Sequence, residues 1–525
     1  MGLMGLKTKL VIYFPPIKEN MSLILLICLN LLAIPGGHFE MSTDPAKSIV
    51  GMKGLVDMEG FFISELTNYA KALKDKIDTI ESFLQDVQSK RDISRRNPKE
   101  FVAHPLNAFS LIRRMHEDWT HMELYMSEEV GISYLQAIKN GLDEAQPTDK
   151  DLRDAIGGII SLHRFYNLQP VDIAKGLLMG KQYNAHLTTL NCQTLALACL
   201  NSNFDRDALN WYKTAVEQYD KDRDGHVYSE VFEFKLRDLY INYTSTLVVK
   251  GFRKAALDIL RNVSDLDASL WLLQKDVYEI GKIDVPDPTF IVERWIDHYG
   301  CQGFRKTKKY FSCHYERETS DFLRIAPLKV EILSLDPHIV IYHDVIYDKE
   351  ISRVKNISLH SLKSPPQYLH GDDYNLKFSK VPEEQESPLN RRIRDMTGEN
   401  VMEDTDFMIN NFGICGFRGY HTDNLEVQDQ TAELGDRLTS IIFFLSDVVQ
   451  GGAISFPNLH LSVWPQKGSA LVWPNLDQSM HPNEDLLHLS CPVIVGSKWT
   501  LVKWLHEKPQ MFFKPCKKEF KEFNI

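Results

Sequence analysis

Between Ile63 and Val87, apolar side chains return at Leu66, Ala70, Leu73, Ile77, Ile80, Leu84 and Val87. Steps of four and three make a heptad seam with mostly polar and charged residues between, which predicts a long helix. Two uses of that seam stand open: self-association as a coiled coil, or packing inside the helix's own domain. Pro105 to Met122 predicts a second helix, with Pro105 in its first turn and Phe109, Ile112, Met115 and Trp119 on its apolar face. Residues 145–280 keep the helical period in short segments such as Leu195 to Leu200, Ala208 to Tyr219 and Ala255 to Val263. Asn201-Ser202-Asn203 and Lys250-Gly251-Phe252 separate them. After Pro327 the pattern changes. Ile339 to Tyr342, Leu438 to Leu445, Ala453 to Phe456 and Ala470 to Trp473 are short, apolar and β-prone, punctuated by Gly451-Gly452 and Pro465 to Gly468. That predicts a β-sandwich or jelly roll behind an all-α N-terminal half.

Composition adds limits. A chain of 525 residues holds several domains, and 43% apolar with 25% charged residues is ordinary for a globular protein. A net charge of −11 without a long basic run argues against nucleic acid as a partner. Lys514, Lys517, Lys518 and Lys521 make the tail locally basic and read as a solvated end. Near the N-terminus, Leu23 to Ile34 is apolar except for Asn30, with Lys18 before it and Pro35-Gly36-Gly37 after. Its length suits a signal-peptide h-region and falls short of a membrane span. Met21 looks like a natural start, so residues 1–20 read as an upstream extension. No other stretch reads as a span, and the expected location is the secretory lumen. Asn242, Asn262 and Asn356 open glycosylation acceptor triplets. In an oxidising lumen the expected disulfides are Cys301–Cys313 and Cys491–Cys516; no CxxC pair supports the zinc alternative. Cys28 lies in the signal, while Cys192, Cys199 and Cys415 remain.

The candidate chemistry sits in His421-Thr422-Asp423. On a strand, residues two apart share a face, so one imidazole and one carboxylate can grip the same metal. His488, in Leu487-His488-Leu489-Ser490, is the candidate third ligand. Two histidines and one carboxylate cover one face of an octahedral ion and leave the other open, as in non-haem iron(II) oxygenases. His116-Glu117-Asp118 matches the same short pattern, but on a predicted helix a two-residue step turns roughly 200° and the side chains diverge. Lys498, in Val495-Gly496-Ser497-Lys498-Trp499, is a candidate anchor for a distal carboxylate; a surface lysine with its stem on Trp499 is the bland alternative.

Longer words then carry a resemblance. They are Ile341-Tyr342-His343-Asp344-Val345, Leu445-Ser446-Asp447-Val448, Gly451-Gly452-Ala453, Phe456-Pro457, Ser462-Val463-Trp464-Pro465, Gly468-Ser469-Ala470 and Trp473. The most specific is His488-x-x-Cys491-Pro492-Val493-x-Val495-Gly496-x-Lys498-Trp499, followed by Lys503-Trp504-Leu505-His506-Glu507. Residues from about 337 to 516 resemble the catalytic domain of animal prolyl 4-hydroxylase alpha subunits. Asn107-Ala108-Phe109 to Trp119 resembles the family's N-terminal domain, and Cys301, Cys313 and Ala326-Pro327-Leu328-Lys329 its linker. The resemblance spans nearly all of 55–516.

That resemblance implies His421, Asp423 and His488 as iron(II) ligands, Lys498 as the 2-oxoglutarate anchor with Trp499 beside it, and ascorbate to restore oxidised iron. It implies hydroxylation of peptidyl proline, as in a procollagen-proline 4-dioxygenase, with succinate and carbon dioxide as co-products; a catalytically inactive binding paralogue is the alternative. It implies a coiled-coil dimerisation segment, a peptide-binding domain of tetratricopeptide-like hairpins for collagen-like proline repeats, and protein disulfide isomerase as beta subunit in the endoplasmic reticulum. Both expected disulfides match the family's. Helical hairpins of this size resemble tetratricopeptide units, whose stacking makes a concave surface, although no internal period marks them and a plain helical spacer also fits. The organisation is then an extension and signal peptide (1–38), a helical dimerisation domain (39–145), a tetratricopeptide-like domain (146–280), a linker (281–335) and a double-stranded β-helix dioxygenase domain (336–525). Arg418 and Phe412 stand where the family has tyrosine, and Phe204-Asp205-Arg206 where it has aromatic hydroxyls. Tyr240 and Tyr243 suit either a peptide groove or the core. The chain ends without a KDEL-type signal, so retention would fall to a partner.

Overall fold

A computed structural model describes residues 45–280, 299–303, 312–364, 374–382, 387–401, 406–425, 434–477 and 480–513. The signal-peptide segment, Met21, Cys28, Cys516 and the basic tail lie outside these residues.

The helical half begins with α1 (Ile49–Arg96), capped by the Ser48 hydroxyl, followed by α2 (Pro98–Ala103), α3 (Pro105–Arg113), α4 (Trp119–Ser127) and α5 (Ile132–Ala145). Arg114–Asp118 winds as a π-turn that interrupts the predicted second helix, and His116 and Asp118 lie in it. The face of α1 that packs on its neighbours is the stripe Phe62, Tyr69, Lys76 and Phe83. Phe62 abuts Gly141 and Tyr69 abuts Gly131, where an added Cβ would stand 2.7 and 2.5 Å from the rings. Lys76 Nζ donates to the carbonyls of Met126 (3.0 Å) and Glu128, and Phe83 meets Trp119 edge-on at 5.4 Å. The heptad seam read from the sequence points elsewhere. Leu66 is 58% exposed and Ile77 53%, and on α3 Phe109 and Ile112 are each 68% exposed. Ile80 and Val87 of the same seam are half-buried, so the seam is largely but not wholly turned away from the domain.

Next come α6 (Asp149–Phe165), α7 (Pro170–Ala174) and a small hairpin of β1 (Leu177–Leu178) and β2 (Lys181–Gln182). Further helices are α8 (Thr189–Asn201), α9 (Asp205–Gln218), α10 (Lys221–Glu230), α11 (Leu236–Val249), α12 (Arg253–Val263), α13 (Ala268–Ile280) and α14 (Tyr299–Gln302). Cys192, Ala196 and Cys199 on α8 meet Ala208, Trp211, Tyr212 and Ala215 on α9 in one buried cluster. Small residues on both helices let them close, as a helical hairpin needs. Tyr243 stacks on Tyr212 at 5.9 Å and Tyr240 packs on the α12–α13 cluster, so both serve helix packing.

The C-terminal half is built from β3 (Cys313–Glu316), β4 (Leu328–Leu335), β5 (His338–His343), α15 (Asp348–Ser358), β6 (Tyr374–Val381), α16 (Pro388–Thr397) and β7 (Phe407–His421). After these come β8 (Arg437–Phe444), β9 (Gln450–Gly451), β10 (Ile454–Phe456), β11 (Leu461–Val463), β12 (Ala470–Pro474), β13 (His488–Ser490), β14 (Val493–Val495) and β15 (Trp499–His506). One antiparallel path runs β11-β10-β13-β7-β15-β8-β12-β5-β4-β3, with β6 also on β7. The long strand β7 makes the sheet curl. Met408–Asn411 pairs with β15, whereas Arg418 and His421 pair with β13. Between the two stretches Cys415 takes a positive φ of 48°, and a Cβ on Gly413 would stand 2.1 Å from the Ala46 carbonyl. The bend thus needs glycine and a left-handed residue. The result is the jelly-roll architecture behind a helical half that the sequence predicts. On its outer face α15 and α16 bury Ile351, Val354, Leu389, Ile393 and Met396 against Ile409, Ile441, Phe443 and Leu501.

The cysteine pairing differs from the expectation. Cys301 is bonded to Cys491, with Cα atoms 5.5 Å apart. Cys313 is a free, exposed thiol at the start of β3, on the far edge of the sheet. The cause is the docking of α14 on β10 and β11, where Ser462 Oγ donates to the Gly300 carbonyl (2.6 Å) and Gly303 lies under Trp464. Closeness in sequence suggested Cys313; packing chose the strand-end cysteine instead. Around the bridge, Leu162, Phe165 and Tyr166 at the end of α6 pack with Cys415, Ala453 and Leu489. Tyr166 Oη donates to the Pro492 carbonyl at 2.6 Å, tying the helical half to the strand end beyond His488.

Candidate active site

His421 ends β7 and faces His488, the first residue of β13, across the ladder. Asp423 follows two residues later. His421 Nε2 lies 3.8 Å from one Asp423 oxygen, His488 Nε2 lies 4.0 Å from the other, and the two ring centroids are 4.2 Å apart. One ligand atom from each lies within 4.8 Å of the others, and all three side chains are buried; among the described residues no other group of acidic, histidine or cysteine side chains converges in this way. His116 and Asp118 make no such group.

Backbone carbonyls orient the rings. His421 Nδ1 bonds the Gly419 carbonyl at 2.8 Å and His488 Nδ1 bonds the Leu486 carbonyl at 2.9 Å. Nδ1 therefore carries the proton, and Nε2 turns its lone pair inward. Ser440 donates to Asp423 at 2.6 Å, and Asn475 donates to Ser440 at 2.9 Å. Burial, Arg418 and the neighbouring His488 push His421 well below its ordinary value, and burial also lowers His488. Burial pushes the Asp423 carboxyl up, but the two histidines, Arg418 and the Ser440 hydroxyl outweigh it and hold it below the usual carboxylate range. Two neutral imidazoles and one carboxylate are thus ready near neutrality, with no proton to shed before a divalent cation binds. The donor set fits a metal that prefers nitrogen and oxygen and needs open coordination positions, as iron(II) does.

Alternation along β15 sorts the rest. Thr500, Val502 and Trp504 line the cavity in front of the triad, together with Asn410, Phe412, Arg418, Ile442, Ile454 and Ser490. Lys498 shares their parity. It is fully buried, donates from Nζ to Ser490 Oγ, and lies 4.7 Å over the Phe412 ring. Burial brings its pKa down to about 7. Trp504 Nε1 is a buried donor without a partner in the protein. A cavity of this make-up, with cationic and N–H donors over apolar walls, fits a compact dicarboxylate. Trp499 corrects the expectation that paired it with Lys498. Its opposite parity sends it into the outer core with Leu501 and Leu505, where Lys355 Nζ lies 5.3 Å over its ring. Lys503 follows Trp499 to that face, 4.8 Å over Phe407.

Several residues escaped sequence reasoning: Asn410, Thr500 and Trp504 in the cavity wall, and Arg437, Ser440 and Asn475 behind Asp423. Arg437 donates to the Asp423 carbonyl at 3.2 Å and stacks on Trp504 at 4.0 Å. The period of two, counted onward from Lys498, would have found Thr500 and Trp504. Nothing local marks Ser440 or Asn475, which reach Asp423 only through the fold.

Comparisons agree with this geometry. Residues 407–506 match the family model described as the 2OG-Fe(II) oxygenase superfamily. Residues 48–180 match the one described as the prolyl 4-hydroxylase alpha-subunit N-terminal region. Prolyl 4-hydroxylase subunit alpha-1 of Homo sapiens is 29% identical, over 89% of this chain and 95% of that protein. Subunit alpha-2 of Gallus gallus is 28% identical over 89% and 94%. Subunit alpha-2 of Caenorhabditis elegans is 26% identical over 94% and 96%. Two family models in the expected order, relatives matched along almost their full length, and a buried His-Asp-His cluster on the curled sheet lead to one conclusion: the chain is similar to prolyl 4-hydroxylase alpha subunits throughout and carries a 2OG-Fe(II) oxygenase domain.

Proposed function

We propose that this chain is the catalytic alpha subunit of a prolyl 4-hydroxylase, hydroxylating peptidyl proline at C4 with dioxygen and 2-oxoglutarate. The observation that carries this reading is the buried triad, with both Nε2 atoms and the Asp423 carboxylate turned to one point. In this reading His421, Asp423 and His488 hold iron(II), and Lys498 binds the distal carboxylate of 2-oxoglutarate. When bound, iron(II) supplies the oxidative chemistry, in which 2-oxoglutarate yields succinate and carbon dioxide as the proline C4–H is hydroxylated, with ascorbate restoring iron that becomes oxidised. The protein's part is positional. Gly419, Leu486 and Ser440 fix the ligands, Phe412, Ile442, Ile454 and Val502 keep the cavity apolar, and Lys498 and Ser490 offer donors to a carboxylate.

The helical hairpins α8–α13 suit an extended, collagen-like peptide in this reading, and the exposed seam of α1 suits a second copy of the chain. The apolar run at Leu23–Ile34 supports entry into the endoplasmic reticulum, where protein disulfide isomerase is the proposed beta subunit and Asn262, exposed on α12, is available for glycosylation. The test is mass spectrometry of a (Pro-Pro-Gly) repeat peptide after incubation with iron(II), 2-oxoglutarate, ascorbate and the chain co-expressed with protein disulfide isomerase. A gain of oxygen on proline that disappears in His421→Ala is expected. Assembled wild-type protein that binds iron and leaves the peptide unmodified would overturn the enzymatic reading in favour of an inactive subunit.

A further inference from the structure

Of two cationic side chains near the cavity, one lines it and one stands behind its wall. Arg418 lines it beside His421, Asp423 and His488. Its backbone pairs with Ser490 of β13, next along the ladder from the His421–His488 pair. Lys498 donates to that same Ser490 and lies over Phe412. The two are not equivalent in position. The charge of Arg418 bears on all three triad residues, whereas burial alone acts on Lys498. One cation thus stands at the triad end of the cavity and another behind its Ser490–Phe412 wall. A 2-oxo dicarboxylate carries its two charges at opposite ends of a short chain, one of them next to the oxo group. An arginine stays charged when buried, and its planar fork matches a carboxylate edge, where a phenol offers a single weaker donor.

Resting on the function proposed above, we propose that Arg418 is a second co-substrate-binding residue, whose guanidinium donates to the carboxylate next to the 2-oxo group while Lys498 takes the far carboxylate. The chain then recognises the oxo-acid end of its co-substrate by charge, and 2-oxo acids without a distal carboxylate retain a foothold.

Binding to Mn(II)-loaded protein, read by isothermal titration calorimetry, tests this without turnover. The probes are 2-oxoglutarate, 2-oxobutyrate, which lacks the distal carboxylate, and glutarate, which lacks the oxo group. In Arg418→Gln, affinity for 2-oxoglutarate and 2-oxobutyrate is expected to fall together by about 10- to 100-fold, the scale of a charged hydrogen bond, and glutarate, which keeps a carboxylate at that end, should weaken with them. Lys498→Ala should spare 2-oxobutyrate and weaken the other two. Mn(II) affinity should rise in Arg418→Gln, since a cation beside the ligands is removed; general unfolding would lower it. Arg418→Tyr, uncharged but space-filling, should repeat the pattern and guards against a folding artefact in the first variant. Unaltered 2-oxobutyrate affinity in either folded variant, or a loss explained by weaker Mn(II) binding, would overturn the role given to Arg418. Failure of the wild-type protein to bind 2-oxoglutarate with Mn(II) would instead remove the functional reading beneath it.

Discussion

In the α1–α5 hairpin, Leu66, Ile77, Phe109 and Ile112 turn apolar side chains to solvent, while in the curled sheet His421, Asp423, His488 and Lys498 sit out of water. Each region breaks the usual sorting in its own direction. An isolated charge in a low-dielectric interior is costly, and a contiguous exposed apolar surface is a liability unless something covers it. Both departures therefore mark places where the chain meets something else. In the function proposed above, the sheet meets a small charged group and the hairpin a second copy of the chain. The sheet solves its problem internally, with carbonyl and hydroxyl partners for each ligand, whereas the hairpin leaves much of its seam exposed.

The strongest way to break the comparison is at the ligands. Asp423→Asn removes the anionic donor but keeps its shape and its bond from Ser440. Metal affinity should fall by at least about 100-fold, since disturbing even the groups behind a ligand costs 10- to 100-fold, and peptide hydroxylation should vanish with circular dichroism unchanged. Unchanged Mn(II) binding would contradict the site. On the hairpin, Leu73→Asp with Ile77→Asp should dissociate the self-associated form, seen by analytical ultracentrifugation, while the unfolding free energy moves within about 0.5 kcal/mol, as for exposed positions. Phe83→Ala, on the packed stripe against Trp119, should do the opposite: about 2 kcal/mol of stability lost and association intact, roughly half the fully buried figure.

Lys498 sharpens the sheet side through pH. Burial takes it from 10.5 to about 7 in the folded state. Between those values the unfolded chain holds the extra proton, so stability of the ligand-free protein should rise with pH above about 7, by at most about 1.4 kcal/mol per pH unit. The gain is absent below the folded value, where both states are protonated. Urea midpoints at pH 7 and pH 9 should differ in the wild type and converge in Lys498→Met; an equal slope in both would show that Lys498 is not the group titrating. The smallest effect belongs to Tyr166→Phe, which deletes the bond to the Pro492 carbonyl. A loss of about 1 kcal/mol is expected in urea titration, the net worth of one neutral hydrogen bond, and no change at all would mean the two halves are not coupled there.

Local pattern made much of this legible. The period of two separated the sheet from the helices, and the His-x-Asp step predicted a shared strand face because side-chain alternation is geometric. The heptad seam was equally visible, and only its use stayed open, since which stripe of α1 faces α5 depends on where Gly131 and Gly141 let aromatic rings approach. Tertiary pairing was beyond reach. Cys301 meets Cys491 because α14 docks on β10 and β11, and no spacing rule contains that. Trp499 departs from expectation for a simpler reason: strand alternation sends it to the face opposite its neighbour Lys498, into the outer core.

The bridge from Cys301 to Cys491 spans 190 positions of sequence. It closes that length of chain into a covalent ring that contains His421, Asp423 and His488 but not Lys498. A single proteolytic nick inside the ring leaves the fragments joined, so the cut chain migrates as one molecule until thiol is added. Backbone scission and dispersal of the three metal-binding side chains are thereby made separate events, and a reducing gel is the instrument that tells them apart.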